Sequence, residues 1–348
     1  MPESLSAIAQ ALVTDGKGVL AADETPGTLT RRFEQYGIAS TPDTRRAYRE
    51  MLFSAPGLGQ WIGGVILQDE TIRQTTSQDI PFADLLAERG MLPGIKVDLG
   101  AKPLAGSDGE TVTEGLDGLR ERLAEYRTLG ARFTKWRAVI RIDGQRLPSW
   151  SCMHANAHAL ARYAALAQEQ GLAPIVEPEV LMDGAHSLAE CEAVTNRMLW
   201  EVFTALVAEH VLPEGILLKP SMILPGGDGG GQASVEDVAK ATLQCLLHNV
   251  PAAVPGIAFL SGGQSANLAT AHLDAINRLP GIRPWPISFS FGRALQDPAL
   301  QAWAGKQERA GDGARALIHR ARCNAAAAIG AYDPTMEEAA PEPALLDR

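Results

Sequence analysis

The chain has 348 residues, 46% of them hydrophobic, and a formal net charge of -10. A chain of this length and composition can bury one large core, and its acidic balance argues against nucleic acid or an anionic membrane as the main partner. The four cysteines, Cys152, Cys191, Cys245 and Cys323, are widely spaced without pairing, which fits a reduced compartment better than a disulfide scaffold or a zinc site.

The N-terminal MPESLSAIAQALVTDGKG has neither a basic start nor a long apolar run, so it reads as no signal peptide. With no stretch near the length of a membrane span, the expected location is cytoplasmic. Extended segments then recur along the chain: GKGVLAAD (16–23), IGGVILQ (62–68), PGIKVD (93–98), FTKWRAVI (133–140), APIVEPE (173–179), GILLKP (215–220), GIAFLSG (256–262) and PISFSFG (286–292). Between them lie stretches with apolar residues three and four apart, among them 114–130, 154–171, 191–210 and 234–249, two of which meet Gly130 or Gly171 where a helix would stop. Strands alternating with helices imply parallel pairing through crossovers, and eight such units predict a single α/β domain, a closed (β/α)8 TIM barrel over residues 1–334. An open doubly wound sheet is disfavoured because Asp23, Glu24 and Thr25 stand where its Gly-rich nucleotide loop would follow the first strand. Residues 335–348, rich in Pro, Glu and Ala, are expected to form a mobile tail.

A barrel enzyme builds its site from the C-terminal ends of its strands. Asp23 closes the first run, Lys96 and Asp98 the third and Glu177 with Glu179 the fifth. Lys135 and Arg137 lie in the fourth run, Lys219 in the sixth, Ser261, Gly262 and Gly263 end the seventh, and Gly292 with Arg293 the eighth. Strand alternation puts Lys135 and Arg137 on one face of their strand and Glu177 and Glu179 on one face of theirs. Which face is the lumen does not follow from one strand.

Lys219 stands out because an ammonium in the apolar run ILLKPSMILP costs several kcal/mol, on the order of the desolvation penalty of an ion, unless it is paired or loses its proton. Desolvation and a second cation such as Lys135 both disfavour the protonated form, leaving an amine that attacks carbonyl carbon and forms an iminium able to take up the electrons of a breaking carbon–carbon bond. The blander alternative is a lysine with a buried stem and a head in water. LSGGQS and FGRAL read as anion-binding loops, placed after strands seven and eight where barrels often hold phosphate.

The motifs GKGVLAADE, IGGVILQ, GIKVD, PLAG, GET, GLDGL, KWRAV, PIVEPE, LLKPSM, PAAVPGI, FLSGGQS and SFGRAL occur in the order and at the separations of class I fructose-1,6-bisphosphate aldolase, which the chain resembles from about residue 5 to about residue 334. The resemblance implies a metal-free enzyme without a cofactor that reversibly cleaves fructose 1,6-bisphosphate to dihydroxyacetone phosphate and glyceraldehyde 3-phosphate in glycolysis and gluconeogenesis. It places the Schiff-base lysine at Lys219, the acid/base glutamate at Glu177 with Glu179 beside it, further catalytic residues at Asp23 and Lys135, and a substrate-binding arginine at Arg137. Ser261, Gly262, Gly263, Gly292 and Arg293 would surround one phosphate, with Lys96, Arg32 and Thr28 near the other end. It also implies a sugar phosphate as the partner and a homotetrameric assembly. Asp23 and Glu177 both remain as the base for the C4 hydroxyl.

Three departures stand out. Thr25, Pro26, Gly27 and Thr28 replace the family's usual Ser-Thr-Gly-Ser, Ser221 replaces an asparagine, and no terminal tyrosine ends the chain. Rival readings are a zinc-dependent aldolase using His154 and His158, a Schiff-base barrel acting on another sugar phosphate, and an inactive scaffold.

Overall fold

The structure, a computed structural model, describes residues 4–144 and 146–338. Its strands in chain order are β1 (Gly18–Ala21), β2 (Ile62–Leu67), β3 (Leu92–Lys96), β4 (Ala101–Pro103), β5 (Thr111–Thr113), β6 (Phe133–Ile140), β7 (Ala173–Val180), β8 (Leu217–Leu218), β9 (Ile257–Phe259) and β10 (Ile287–Phe291). Eight of them pair in parallel around a closed barrel in the order β1-β10-β9-β8-β7-β6-β3-β2. Each grows out of one of the eight extended runs, so the (β/α)8 barrel expected from the sequence is the fold. The short antiparallel β4–β5 hairpin is an addition that periodicity did not reveal, because three-residue strands carry no readable alternation.

The run GILLKP was expected to be extended over six residues, yet only Leu217 and Leu218 make ladder pairs. Lys219 still donates its backbone N–H to the Val176 carbonyl at 2.8 Å, but Pro220 has no N–H to continue the ladder and its carbonyl accepts from Leu260 instead. The strand therefore ends at the residue after which the chain must turn over the barrel mouth.

Two apolar layers define the inside and outside of the barrel. The inner one joins Val19, Ala21, Ile66, Phe133, Ala173, Ile175, Leu217 and Ala258 to Ile8, Leu12 and Val13 from the N-terminal helix Leu5–Ala11 and the residues just after it. The outer one packs Trp136, Ala138, Val176 and Leu218 against the surrounding helices. Glycines make room for the inner filling. A Cβ at Gly94 would meet the Phe133 ring within 2.2 Å, and one at Gly63 would meet the Ala11 carbonyl oxygen at 2.6 Å. The Gly-Gly pair of IGGVILQ thus serves close packing of the N-terminal segment rather than a ligand.

Helices cover the outside. Those running Leu119–Thr128 and Trp150–Glu169 end at Gly130 (φ 95°) and Gly171 (φ 72°), left-handed positions that favour glycine, as expected. The helix Leu188–Ala208 opens with a capping box between Ser187 and Glu190, and Val235–Asn249 with one between Ser234 and Asp237. Past the expected domain boundary, Pro334–Glu337 forms a 3-10 turn in which Glu337 accepts from Arg320 and from the Tyr332 hydroxyl, so the chain is still anchored there. The remainder of the expected tail, 339–348, lies outside the described residues.

Candidate active site

Alternation along the strands fixes where the polar residues point. Phe133 belongs to the inner layer, so Lys135 and Arg137, two and four residues on, face the lumen; Ala173 and Ile175 do the same for Glu177 and Glu179, and Leu217 for Lys219. Two cations and two carboxylates that could not be oriented from one strand thus meet at the C-terminal mouth, where β6 and β7 set Arg137 against Glu177 and β3 sets Lys96 against Lys135.

At the centre are four side chains. Glu177 bridges both lysines: Oε1 lies 3.2 Å from Lys219 Nζ and Oε2 lies 3.0 Å from Lys135 Nζ. Lys135 Nζ also reaches Asp23 Oδ2 at 2.6 Å. Lys135, Glu177 and Lys219 are each 3% exposed, so the Lys219 head does not stand in bulk water.

Electrostatics follow from this geometry. Burial pushes the Glu177 carboxyl up, but Lys135, Lys219 and Arg137 outweigh it and hold it below the usual range. Asp23 shows the same contest, burial against the two ammonium groups, and ends far below its ordinary value. Burial would lower Lys135, yet the carboxylates of Asp23, Glu177 and Asp98 raise it well above an ordinary lysine. The sequence suggested that the Lys135 charge would bear on Lys219 as bare like-charge repulsion. Instead two carboxylates compensate it at contact distance, and Lys219 itself contacts a base, Glu177.

A cleft of about 710 Å³ opens above these residues, room enough for a phosphorylated sugar. Arg137 donates through Nε to Glu179 on its rim, and Lys96 Nζ contacts Asp98 Oδ1 at 2.8 Å. On one side Ser261 and Gly262 meet Gly292 and Arg293, the first residue of the helix Arg293–Trp303; a Cβ on Gly263 would come within 3.7 Å of Arg293 Nη2. Thr28 and Arg32 of the helix Pro26–Glu34 line the cleft as well, together with Arg31 and Gln35. Arg32, expected near a substrate phosphate, lines the cleft with its guanidinium held by Glu24 and, at 2.6 Å, by Asp297, which line it as well. The exposed Arg31 faces the cleft beside it, 3.4 Å from Thr28 Oγ1. Arg31 and Gln35 were missed, although the spacing 28, 31, 32, 35 on one helical face was a signal for them.

Glu24 was passed over as well, and it organises the wall behind Asp23. Its carboxylate is shared by Arg32, by Arg49 at 2.7 Å and by Gln296 at 2.8 Å, while Gln296 also donates to the Ala21 carbonyl at 2.6 Å. No sequence spacing links positions 24, 49 and 296.

His154 and His158, the candidate zinc ligands, lie on the outer helix Trp150–Glu169, where they face Glu201 (3.4 Å) in the neighbouring helix and Glu209 (3.6 Å) at its C-cap. Among the described residues one cluster has ligand atoms close enough to hold a metal, His319, Cys323 and Glu337, but there Glu337 is already engaged by Arg320 and Tyr332. The four cysteines are buried and not bonded to one another. Among the described residues no helix is long and apolar enough to cross a membrane.

A profile of the family "Fructose-bisphosphate aldolase class-I" matches residues 4–347. The chain is 54% identical over 333 residues to the probable fructose-bisphosphate aldolase class 1 of Xanthomonas campestris pv. campestris, covering 95% of this chain and 98% of that one. It is 50% identical over 331 residues to the cytosolic fructose-bisphosphate aldolase 4 of Arabidopsis thaliana, covering 94% and 84%. Among solved structures, the fructose-bisphosphate aldolase of Plasmodium falciparum, in a ternary co-crystal with TRAP and a small-molecule inhibitor, superposes with a TM-score of 0.93 at 44% identity over 94% of this chain and 95% of that one. The lysine-centred barrel mouth and these whole-length matches agree: the chain belongs to the class I fructose-bisphosphate aldolase family.

Proposed function

We propose that this aldolase, a carbon–carbon lyase, works through a covalent Schiff base on Lys219, with no metal and no other cofactor, and cleaves fructose 1,6-bisphosphate reversibly to dihydroxyacetone phosphate and glyceraldehyde 3-phosphate. The observation that carries the reading is the 3.2 Å contact between Lys219 Nζ and Glu177 Oε1, both residues being 3% exposed. Glu177 takes a proton from the Lys219 ammonium, and the freed amine adds to the C2 ketone. The same carboxyl, now protonated, gives its proton to the C2 hydroxyl of the carbinolamine, so water departs and the iminium forms.

The proton of the C4 hydroxyl passes to a carboxylate of this cluster, Asp23 or Glu177, as the C3–C4 bond breaks and its electron pair moves into the iminium to give an enamine. Lys135, pinned cationic between those carboxylates, stabilises the negative charge that develops on oxygen. Protonation of the enamine and hydrolysis release the ketone product and restore the amine. Glu179 orients Arg137 toward the substrate. One phosphate sits among Ser261, Gly262, Gly263, Gly292 and Arg293, and Lys96, Arg32 and Thr28 lie near the other, with Arg31 beside them.

Residues 1–334 act as one catalytic domain. The cytosolic plant relative and the closed set of unpaired, buried thiols support a cytoplasmic location. Trp150 and Trp200, 62% and 60% exposed on neighbouring helices, support burial of that face in a homotetramer, which light scattering would measure.

The test of the chemistry is borohydride added with dihydroxyacetone phosphate. It should label one lysine irreversibly, and peptide mass spectrometry should find the adduct on Lys219; an adduct on any other lysine refutes the assignment. Lys219→Arg should abolish labelling in a folded protein, and cleavage should persist in chelator.

A further inference from the structure

The loop after β9 contains two consecutive glycines in left-handed conformation, Gly262 at φ 60° and Gly263 at φ 92°. Such a backbone is free to move unless something fixes it. Fixing comes from the next residue. Gln264 is 8% exposed; its backbone N–H and its side-chain Nε2 both donate to the Ser261 carbonyl, at 3.1 and 3.0 Å, closing the glycine pair from both sides. Nε2 also reaches Met222 Sδ at 3.7 Å, three residues beyond Lys219.

The amide orientation is forced. A carbonyl can only accept, so nitrogen must face Ser261, which leaves Gln264 Oε1 facing His272 Nδ1 at 2.6 Å on the helix Ala266–Arg278. His272 must therefore carry its proton on Nδ1 and donate it. His272 is 3% exposed, and burial holds its imidazole down at about 4, so it remains a neutral, fixed donor at working pH.

We propose that Gln264 and His272 are positioning residues for phosphate binding: a hydrogen-bonded relay from His272 through Gln264 to the Ser261 carbonyl holds the Gly262–Gly263 loop in its anion-accepting shape before substrate arrives. This rests on the reading of that loop as a phosphate seat. Neither side chain touches substrate. The relay acts by removing the ordering that the loop would otherwise undergo on binding, so its loss weakens ground-state and transition-state binding alike and appears in KM rather than kcat.

The experiment measures KM and kcat for fructose 1,6-bisphosphate cleavage, the competitive Ki of inorganic phosphate and the thermal midpoint. The variants are Gln264→Leu, Gln264→Met, His272→Leu, His272→Asn and, as a reference, Arg293→Ala. The Leu and Met variants should raise KM and phosphate Ki together by about tenfold, the scale of one or two lost hydrogen bonds, with kcat within about twofold. His272→Asn places an amide N–H where Nδ1–H stood and should keep both values near the parent's. Gln264→Met, matched in length and apolar, keeps the test open if a Leu variant does not fold. A lowered thermal midpoint with KM and Ki unmoved, while Arg293→Ala raises both, overturns the relay and leaves the phosphate reading standing. If Arg293→Ala also moves neither, the phosphate reading itself falls and the relay with it.

Discussion

Glu177→Gln separates acid–base chemistry from charge and shape. Glutamine keeps the volume of the side chain and an acceptor oxygen near Lys219, but it removes the carboxylate whose two oxygens lie 3.2 Å from Lys219 and 3.0 Å from Lys135. The protein should fold, with Lys135 still held by Asp23 at 2.6 Å. What disappears is the group that, in the proposed mechanism, accepts the amine proton and returns it to the departing hydroxyl. One positioned acid or base contributes roughly 10²- to 10⁴-fold in rate, equivalent to about 3–5 kcal/mol of activation free energy. Rapid-quench borohydride trapping with dihydroxyacetone phosphate reads this step directly, as the rate at which adduct appears on Lys219. The variant should form adduct at least about 100-fold more slowly while circular dichroism and the thermal midpoint remain close to the parent's. Adduct formation within about threefold of the parent would mean that Glu177 is a charge partner only, and that the proton travels by another route.

Packing predicts that Gly94→Ala destabilises the barrel by about 1–3 kcal/mol or more, because the new Cβ would fall within 2.2 Å of the Phe133 ring. Adding Phe133→Leu should recover part of the loss, and purely additive urea midpoints would exclude that contact as the cause. Asp23 predicts a sign for pH dependence: its folded pKa is depressed, so its stabilising contribution is present above its ordinary value of 3.8 and is lost as pH falls below it. Asp23→Asn should thus be less stable than the parent at neutral pH and should lose less stability between pH 6 and about pH 3. Equal losses over that range, measured by thermal unfolding, would contradict the ion pair with Lys135.

The legible part of the site was the part written locally. Lys219 in an apolar run, the pairs Lys135/Arg137 and Glu177/Glu179 and the glycines at 262 and 263 each lie within one strand end or one turn, where period-two alternation and glycine's backbone freedom leave a trace. Arg32 shows the boundary of such reading. Its position on the cleft wall follows from helical spacing, but its engagement by Glu24 and Asp297 depends on a residue 265 positions away in the chain. The relay from His272 to Ser261 was equally silent, since a glutamine after two glycines carries no sign of what its amide will meet.

The sequence by itself determined the number and order of the barrel strands, because burial on both faces of a parallel strand demands short apolar runs and crossovers demand helices between them. It also determined which residue types stand at the strand ends. Only the tertiary structure decided that Lys135 is compensated by Asp23 and Glu177 rather than facing Lys219 as a bare cation. Coulomb energy depends on separation in space and on the dryness of the surroundings, and both are set when β1, β6, β7 and β8 close around the lumen.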